Sequence, residues 1–309
     1  MLVLFPSPGQ VSWPASIRRL RILVVLFLLA TLTACSALTQ SQQKATHTYA
    51  SATATLGQFS AAELARLRQD IITMNASRFA LRKDKKVVHA DFDRMVAADD
   101  TNVRLSAARA LSSYGELLNA LLSEDPAQAL EDAAEKLADH TAFALGENFD
   151  KDKQSALQSV VENIGAVWVE RQRAQALKTI IRDYQPAVQA LADLLANDLT
   201  LDGERRGFMH AYQSAAKSLK NESYRVINHG DAHSYADRKV AVDALLMAEQ
   251  ALQRGQAISQ AAGASLQALR TSDDELLKVL SEKDYGYADI RDYARQIRDL
   301  VKAYNALAG

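Results

Sequence analysis

Ala174-Gln-Ala-Leu177-Lys-Thr-Ile-Ile181-Arg-Asp-Tyr184-Gln-Pro186-Ala-Val188-Gln-Ala-Leu191-Ala-Asp-Leu-Leu195 is the stretch that decides the fold. Its apolar positions Ala174, Leu177, Ile181, Tyr184, Val188, Leu191 and Leu195 are spaced alternately by three and four residues. That spacing draws one stripe along a helix, a heptad seam that a partner helix must bury. The seam passes Pro186 without losing phase. The helix is therefore expected to continue through a kink, because proline removes one backbone N–H and crowds the carbonyl of Arg182. No other stop signal lies between Asp152 and Leu199. A helix over that whole stretch would be roughly 70 Å long at 1.5 Å per residue, too long for a compact globule of this chain length.

Similar seams flank it. Asp99-Asp100-Thr101-Asn102 precedes Val103, Ala107, Ala110, Tyr114, Leu117 and Leu121, and Pro126 suits the first position of a helix running to about Leu145. Ser60-Ala61-Ala62-Glu63 has the form of a capping box opening a helix with Leu64, Leu67, Ile71, Met74 and Leu81 on one side. After the turn at Leu201-Asp202-Gly203 come Phe208, Tyr212, Ala215, Leu219 and Val226. A helix from Ser234 to about Arg270 carries a row of small residues, Ala241, Ala248, Gly255 and Ala262, that lets a neighbouring backbone approach closely. Ser272-Asp273-Asp274-Glu275 has the form of a second capping box, and a last helix carries Ile290, Ala294, Ile297, Val301 and Tyr304.

Composition agrees. Hydrophobic residues make up 48% of the chain but aromatics only 6%, and after Cys35 the prolines are Pro126 and Pro186. A sandwich or barrel needs a turn about every 8–12 residues, usually marked by Gly or Pro, and this chain does not supply them. The expected fold is all-α, an elongated multi-helix bundle with coiled-coil-like packing.

The N-terminus carries a different signal. Arg18, Arg19 and Arg21 precede an apolar run from Ile22 to Ala30, and the segment closes on Leu32-Thr33-Ala34-Cys35. A basic region followed by a short apolar run and small residues is the plan of a secretory signal, and the run is short for a membrane span of ~20 residues. The closing tetrapeptide resembles the lipobox of bacterial lipoproteins: an aliphatic residue, two small ones and a cysteine. The resemblance covers roughly residues 17–36. It implies cleavage after Ala34, a diacylglycerol thioether on Cys35 and acylation of the new amino group, so that several acyl chains anchor the protein. Ser36 is compatible, within that family, with sorting to the outer membrane on its periplasmic side. The expected organisation is a signal segment over 1–34, the acylated cysteine and a short tether over 35–48, and one helical bundle over 49–309.

Charge and cysteine usage exclude several functions. Losing Arg18, Arg19 and Arg21 with the signal takes the formal charge from −1 to −4, which leaves no basic footprint for nucleic acid. Cys35 is the sole cysteine, so no intrachain disulfide can form. His229-Gly-Asp231-Ala-His233, with Asp237 beyond it, is the best candidate for a metal site. Two histidines and a carboxylate suit a divalent ion. Gly230 falls at a helix break, however, so a polar loop is the better reading: His229 at a C-terminus, Asp231 capping the next helix. No catalytic residue, metal or cofactor is expected beyond the lipid on Cys35.

The function expected from these features is a non-enzymatic interaction or scaffold module of the cell envelope. Its partners would be the bilayer, through Cys35, and an envelope or periplasmic protein. The alternative is a binder of a small hydrophobic ligand or lipid between helices, along Gly115, Gly165, Gly255 and Gly263. A toxin-like membrane-active bundle is disfavoured, because no apolar hairpin of membrane length follows Cys35.

Overall fold

The structure is a computed structural model that describes residues 38–82, 86, 88, 90–93, 96–123, 127–146, 170–202, 207–229, 234–282 and 286–308. Among them are eight helices and no strand. They are α1 (Gln40–Ala80), α2 (Ala90–Asp93), α3 (Ala98–Leu122), α4 (Ala127–Leu145), α5 (Glu170–Leu199), α6 (Phe208–Asn228), α7 (Tyr235–Ser281) and α8 (Ala288–Ala308). The protein is an all-α multi-helix bundle.

Among the described residues the longest helices are α1, with 41 residues, and α7, with 47; α5 has 30 described residues and runs unbroken through Pro186. The upstream part of the expected long helix, and Pro126, lie outside the described residues. Both apparent capping boxes turn out to be helix interior: Ser60–Glu63 lies within α1, and Ser272–Glu275 within α7. The true start of α1 is Thr39, inside the stretch read as a tether. Its hydroxyl accepts from Gln42 N at 3.2 Å while Gln42 Oε1 accepts from Thr39 N at 3.0 Å. Ser234 and Asp237 open α7 in the same reciprocal way.

A seam does run through the first half of α1, but it is built from small and polar residues. Thr46, Ala50, Thr53, Gly57, Ser60, Leu64, Leu67, Ile71 and Met74 keep the alternating spacing, and all are buried. The small members let α3 lie almost against the α1 backbone. A Cβ on Gly57 would stand 2.4 Å from Ser112 N, and one on Gly115 would stand 2.4 Å from Ala50 O. Gly115 thus serves close helix packing, not a groove. Gly255 likewise faces the Tyr212 ring, where a Cβ would meet Cδ1 at 3.1 Å.

Cross-helix pairs fix the directions. Gln42, Tyr49 and Glu63 of α1 meet Val279, Asp273 and Arg254 of α7, so these two helices are antiparallel. α5 is antiparallel to α7 through Gln185 to Asp274 and Leu201 to Ser259, and α6 through Gln213 to Leu252. α8 folds back over α7 and α1. α7 is the spine, touching α1, α5, α6 and α8; from Tyr235 to Val279 it spans about 65 Å. No helix among the described residues is long and apolar enough to cross a membrane.

Candidate functional site

The α1–α7 seam holds the most unusual chemistry of the described residues, in two buried clusters. The first surrounds Asp273, which is wholly buried. Its position follows from the seam of α7: Ile258, Ala262, Ser265, Leu269, Ser272 and Leu276 all face the core, and Asp273 stands one residue off that row. Tyr49 of α1 donates its hydroxyl to Asp273 Oδ1 at 2.7 Å. Tyr114 of α3 lies beside the same carboxyl, but its hydroxyl and Asp273 Oδ2 are each left without a hydrogen-bond partner among the described residues. The ring of Tyr293, from α8, lies 5.8 Å from that of Tyr49, and its hydroxyl is 3.1 Å from Thr53 Oγ1. Tyr184 of α5 stacks on Tyr114 at 6.1 Å. Five helices therefore converge on one carboxyl group.

Burial dominates the electrostatics there. It pushes the Asp273 carboxyl up to about 7, against the hydrogen bond from Tyr49 and the nearby hydroxyl of Tyr114 and with help from the like charge of Asp274. It also raises Tyr49 and Tyr114 well above the usual phenol range, and Tyr184 to about 12. The tyrosines are thus neutral hydrogen-bonding groups at any physiological pH.

The second cluster lies about four turns along α1 from Tyr49. Glu63, also wholly buried, meets Arg254 of α7: Arg254 Nη2 is 2.8 and 2.7 Å from its two oxygens. Arg254 Nη1 donates to Asp70 Oδ2 at 3.1 Å. Burial raises Glu63 to about 7, against the pull of Arg254 and Arg66. Burial also raises Asp70, which is part exposed. A smaller polar junction ties α3, α5 and α6: Asp198 accepts from Phe208 N at 3.3 Å and pairs with Arg104 Nε at 2.8 Å.

Two surface features complete the inventory. An open groove of about 510 Å³ between α5 and α7 is lined by Gln185, Pro186, Gln267, Arg270, Asp274 and Lys278 among others. At the opposite end of α7, Tyr235, Val240, Val242, Leu246 and Met247 are all exposed, Tyr235 by 84% and Leu246 by 53%. Tyr235, Val242 and Leu246 fall on one helical face, turned away from the buried Ala241, Ala244 and Ala248.

The expected site residues fare unevenly. His229 caps the C-terminus of α6, with its Nδ1 2.8 Å from Arg225 O. Asp231 and His233, its would-be companions, lie outside the described residues, as does Cys35. Asp237 is engaged in the cap of α7. Among the described residues no three His, Cys, Asp or Glu side chains gather as a metal would require. Asp273 and Glu63 had been read as capping-box members, and Tyr49 had not been singled out. The signal that could have found them was the phase of the small-residue seam, which carries both tetrapeptides deep into continuous helices. Compared with protein-family models, curated proteins and solved structures, the chain finds no match in any of the three.

Proposed function

We propose that the protein is a bacterial lipoprotein, anchored through Cys35 in the outer membrane and facing the periplasm, that serves as a non-enzymatic interaction module of the cell envelope. The observation that carries this reading is the apolar outer face of α7 over Tyr235–Met247. The outer face of a bundle helix is ordinarily polar, and scattered apolar residues there mean little, but Tyr235, Val242 and Leu246 share one exposed face, with Val240 and Met247 exposed further round the same helix, and such an apolar face is of the kind that partners cover. The patch also stands at the far end of α7 from Val279, beside which α1 begins, five residues after Cys35. An anchor at one end and an apolar face at the other suit a stalk that holds its docking surface away from its own bilayer.

The buried clusters support the non-enzymatic part. Asp273 and Glu63 are sealed from solvent, so their chemistry is spent on neighbouring helices and not on a substrate. The groove between α5 and α7 is mostly polar and open, which argues against an apolar ligand lodged there.

The test is a photo-crosslinking residue at Leu246 in intact cells, with the same probe at exposed Glu131 of α4 as control. A discrete adduct from Leu246 and not from Glu131 supports the docking surface; equal labelling from both, or none, removes it. The anchor is tested separately: Cys35→Ser abolishes palmitate labelling, and persistence of the label refutes the lipobox.

A further inference from the structure

We propose that Asp273 is a protonation-controlled latch, whose neutral carboxyl holds α8 closed over the α1–α7 seam and whose ionisation releases it. The geometry is that of a buried acid with hydroxyls around it and no cation in contact. α1 brings Tyr49 and Thr53, α3 brings Tyr114, α5 brings Tyr184 behind Tyr114, and α8 brings Tyr293. Within α7 the charged neighbours are Asp274, of the same sign and bonded to Gln185, and Glu275, already paired with Lys278 at 3.2 Å. Arg270, one turn away, is engaged with Asp193 on the surface. Glu63, by contrast, has a guanidinium directly against it.

A carboxylate formed at Asp273 has one tyrosine hydroxyl bonded to it, that of Tyr49, its Oδ2 has no partner among the described residues, and it otherwise needs water. The element that must move to admit water is the one bound least widely. α1 is locked to α3 by the backbone contacts at Gly57 and Gly115. α8 packs on α7 and α1 through one stripe, Ile290, Tyr293, Ala294, Ile297 and Leu300, and Tyr293 reaches the cluster directly. Lifting α8 therefore takes Tyr293 away from Tyr49 and Thr53 and uncovers that side of the cluster around Asp273.

The sign follows from linkage. With α8 closed, the Asp273 carboxyl is held up at about 7; hydrated, it returns to the ordinary range near ~4. The closed form gains from protonation below that lower value. Its advantage shrinks by about tenfold per pH unit through the window between, and levels off above roughly 7.

The experiment is amide hydrogen exchange of the full mature chain at pH 5 and pH 8, corrected for intrinsic exchange rates. Peptides over α8 are compared with peptides over α1 and α3. The expected result is at least a ~30-fold loss of protection in α8 on going to pH 8, with α8 opening below the global unfolding free energy and α3 staying better protected than α8 at both pH values; protection that is equal in α8 and α3 at pH 8 overturns the latch. Asp273→Asn, which keeps a neutral group of the same shape, flattens that dependence. Tyr49→Phe removes a donor that favours the ionised form, so the loss continues to a higher pH before levelling off. Protection of α8 that is equal at the two pH values, or that falls equally in Asp273→Asn, overturns the proposal. If Asp273→Asn does not fold, carbon-13 carboxyl titration of the unmodified protein decides: a midpoint for Asp273 near that of an exposed aspartate refutes the latch, and one near neutrality supports it.

Discussion

The two carboxylates buried on the α1–α7 seam are handled in opposite ways. Glu63 is neutralised by a guanidinium that reaches both of its oxygens, and the same arginine holds Asp70. Asp273 is surrounded by tyrosines and receives a hydrogen bond from Tyr49 without counter-charge. Both carboxyls are raised to about 7, burial being the main cause in each. The comparison teaches that similar titration can come from different physics. One site is a paired charge whose failure mode is loss of its partner. The other is an acid whose failure mode is its own ionisation.

The sharpest way to break this comparison is to remove the cation. Arg254→Met leaves Glu63 buried with its main counter-ion gone, and should cost about 3–5 kcal/mol in denaturant unfolding at pH 7. Adding Glu63→Leu should recover much of that loss; a double variant as unstable as the single one would mean that Arg254 acts through packing alone.

The next effect is in pH dependence. Asp273 rises from its ordinary 3.8 to about 7 on folding, so the unfolded chain ionises there before the folded one does. That group's contribution is fully present below about pH 4 and is lost as pH rises to about 7, a change of about 4 kcal/mol at most. Asp273→Asn should remove that share of the slope in unfolding free energy between pH 4 and 7, leaving the part due to Glu63. An unchanged slope would show that Asp273 titrates alike in both states.

Smaller effects sharpen the tyrosine side. Tyr49→Phe should cost about 1–2 kcal/mol, and more at pH 8 than at pH 5, because its hydroxyl favours the ionised carboxyl. A cost independent of pH would detach Tyr49 from the titration. Tyr293→Phe, which loses only the contact with Thr53, should cost about 1 kcal/mol with little pH dependence.

How much of this was legible in the sequence varies by element. The seams of α3 and α5 are made of Leu, Ile, Val and Tyr, and both helices stand where those seams put them. The first half of α1 has the same spacing written in Thr, Ala, Gly and Ser, which carries little apolar contrast, so the helix looked as if it began at Ser60. The error at Ser272 arose in the same way: Ser-x-x-Glu is a start signal only where no helix already runs through it. Glu63 and Asp273 were hidden by that misreading, since a carboxylate at a helix start needs no partner inside the core. Their partners lie 191 and 224 residues away in the chain, a pairing that local pattern does not reveal. Nor does a tyrosine's place in a seam show where its hydroxyl goes: those of Tyr49 and Tyr293 turn inward to Asp273 and Thr53.

The early start of α1 has a mechanical consequence. Gln40 follows Cys35 by five residues, a leash of at most about 17 Å even when fully drawn out. On the proposed anchoring through Cys35, the base of the bundle would stay at the headgroups while the rest pivots above them. A stiff arm of about 65 Å on so short a leash would sweep Tyr235 and Leu246 over a dome above one patch of membrane. A partner moving through that dome would meet the proposed docking face at a local concentration set by arm length, with no need for the anchor to travel.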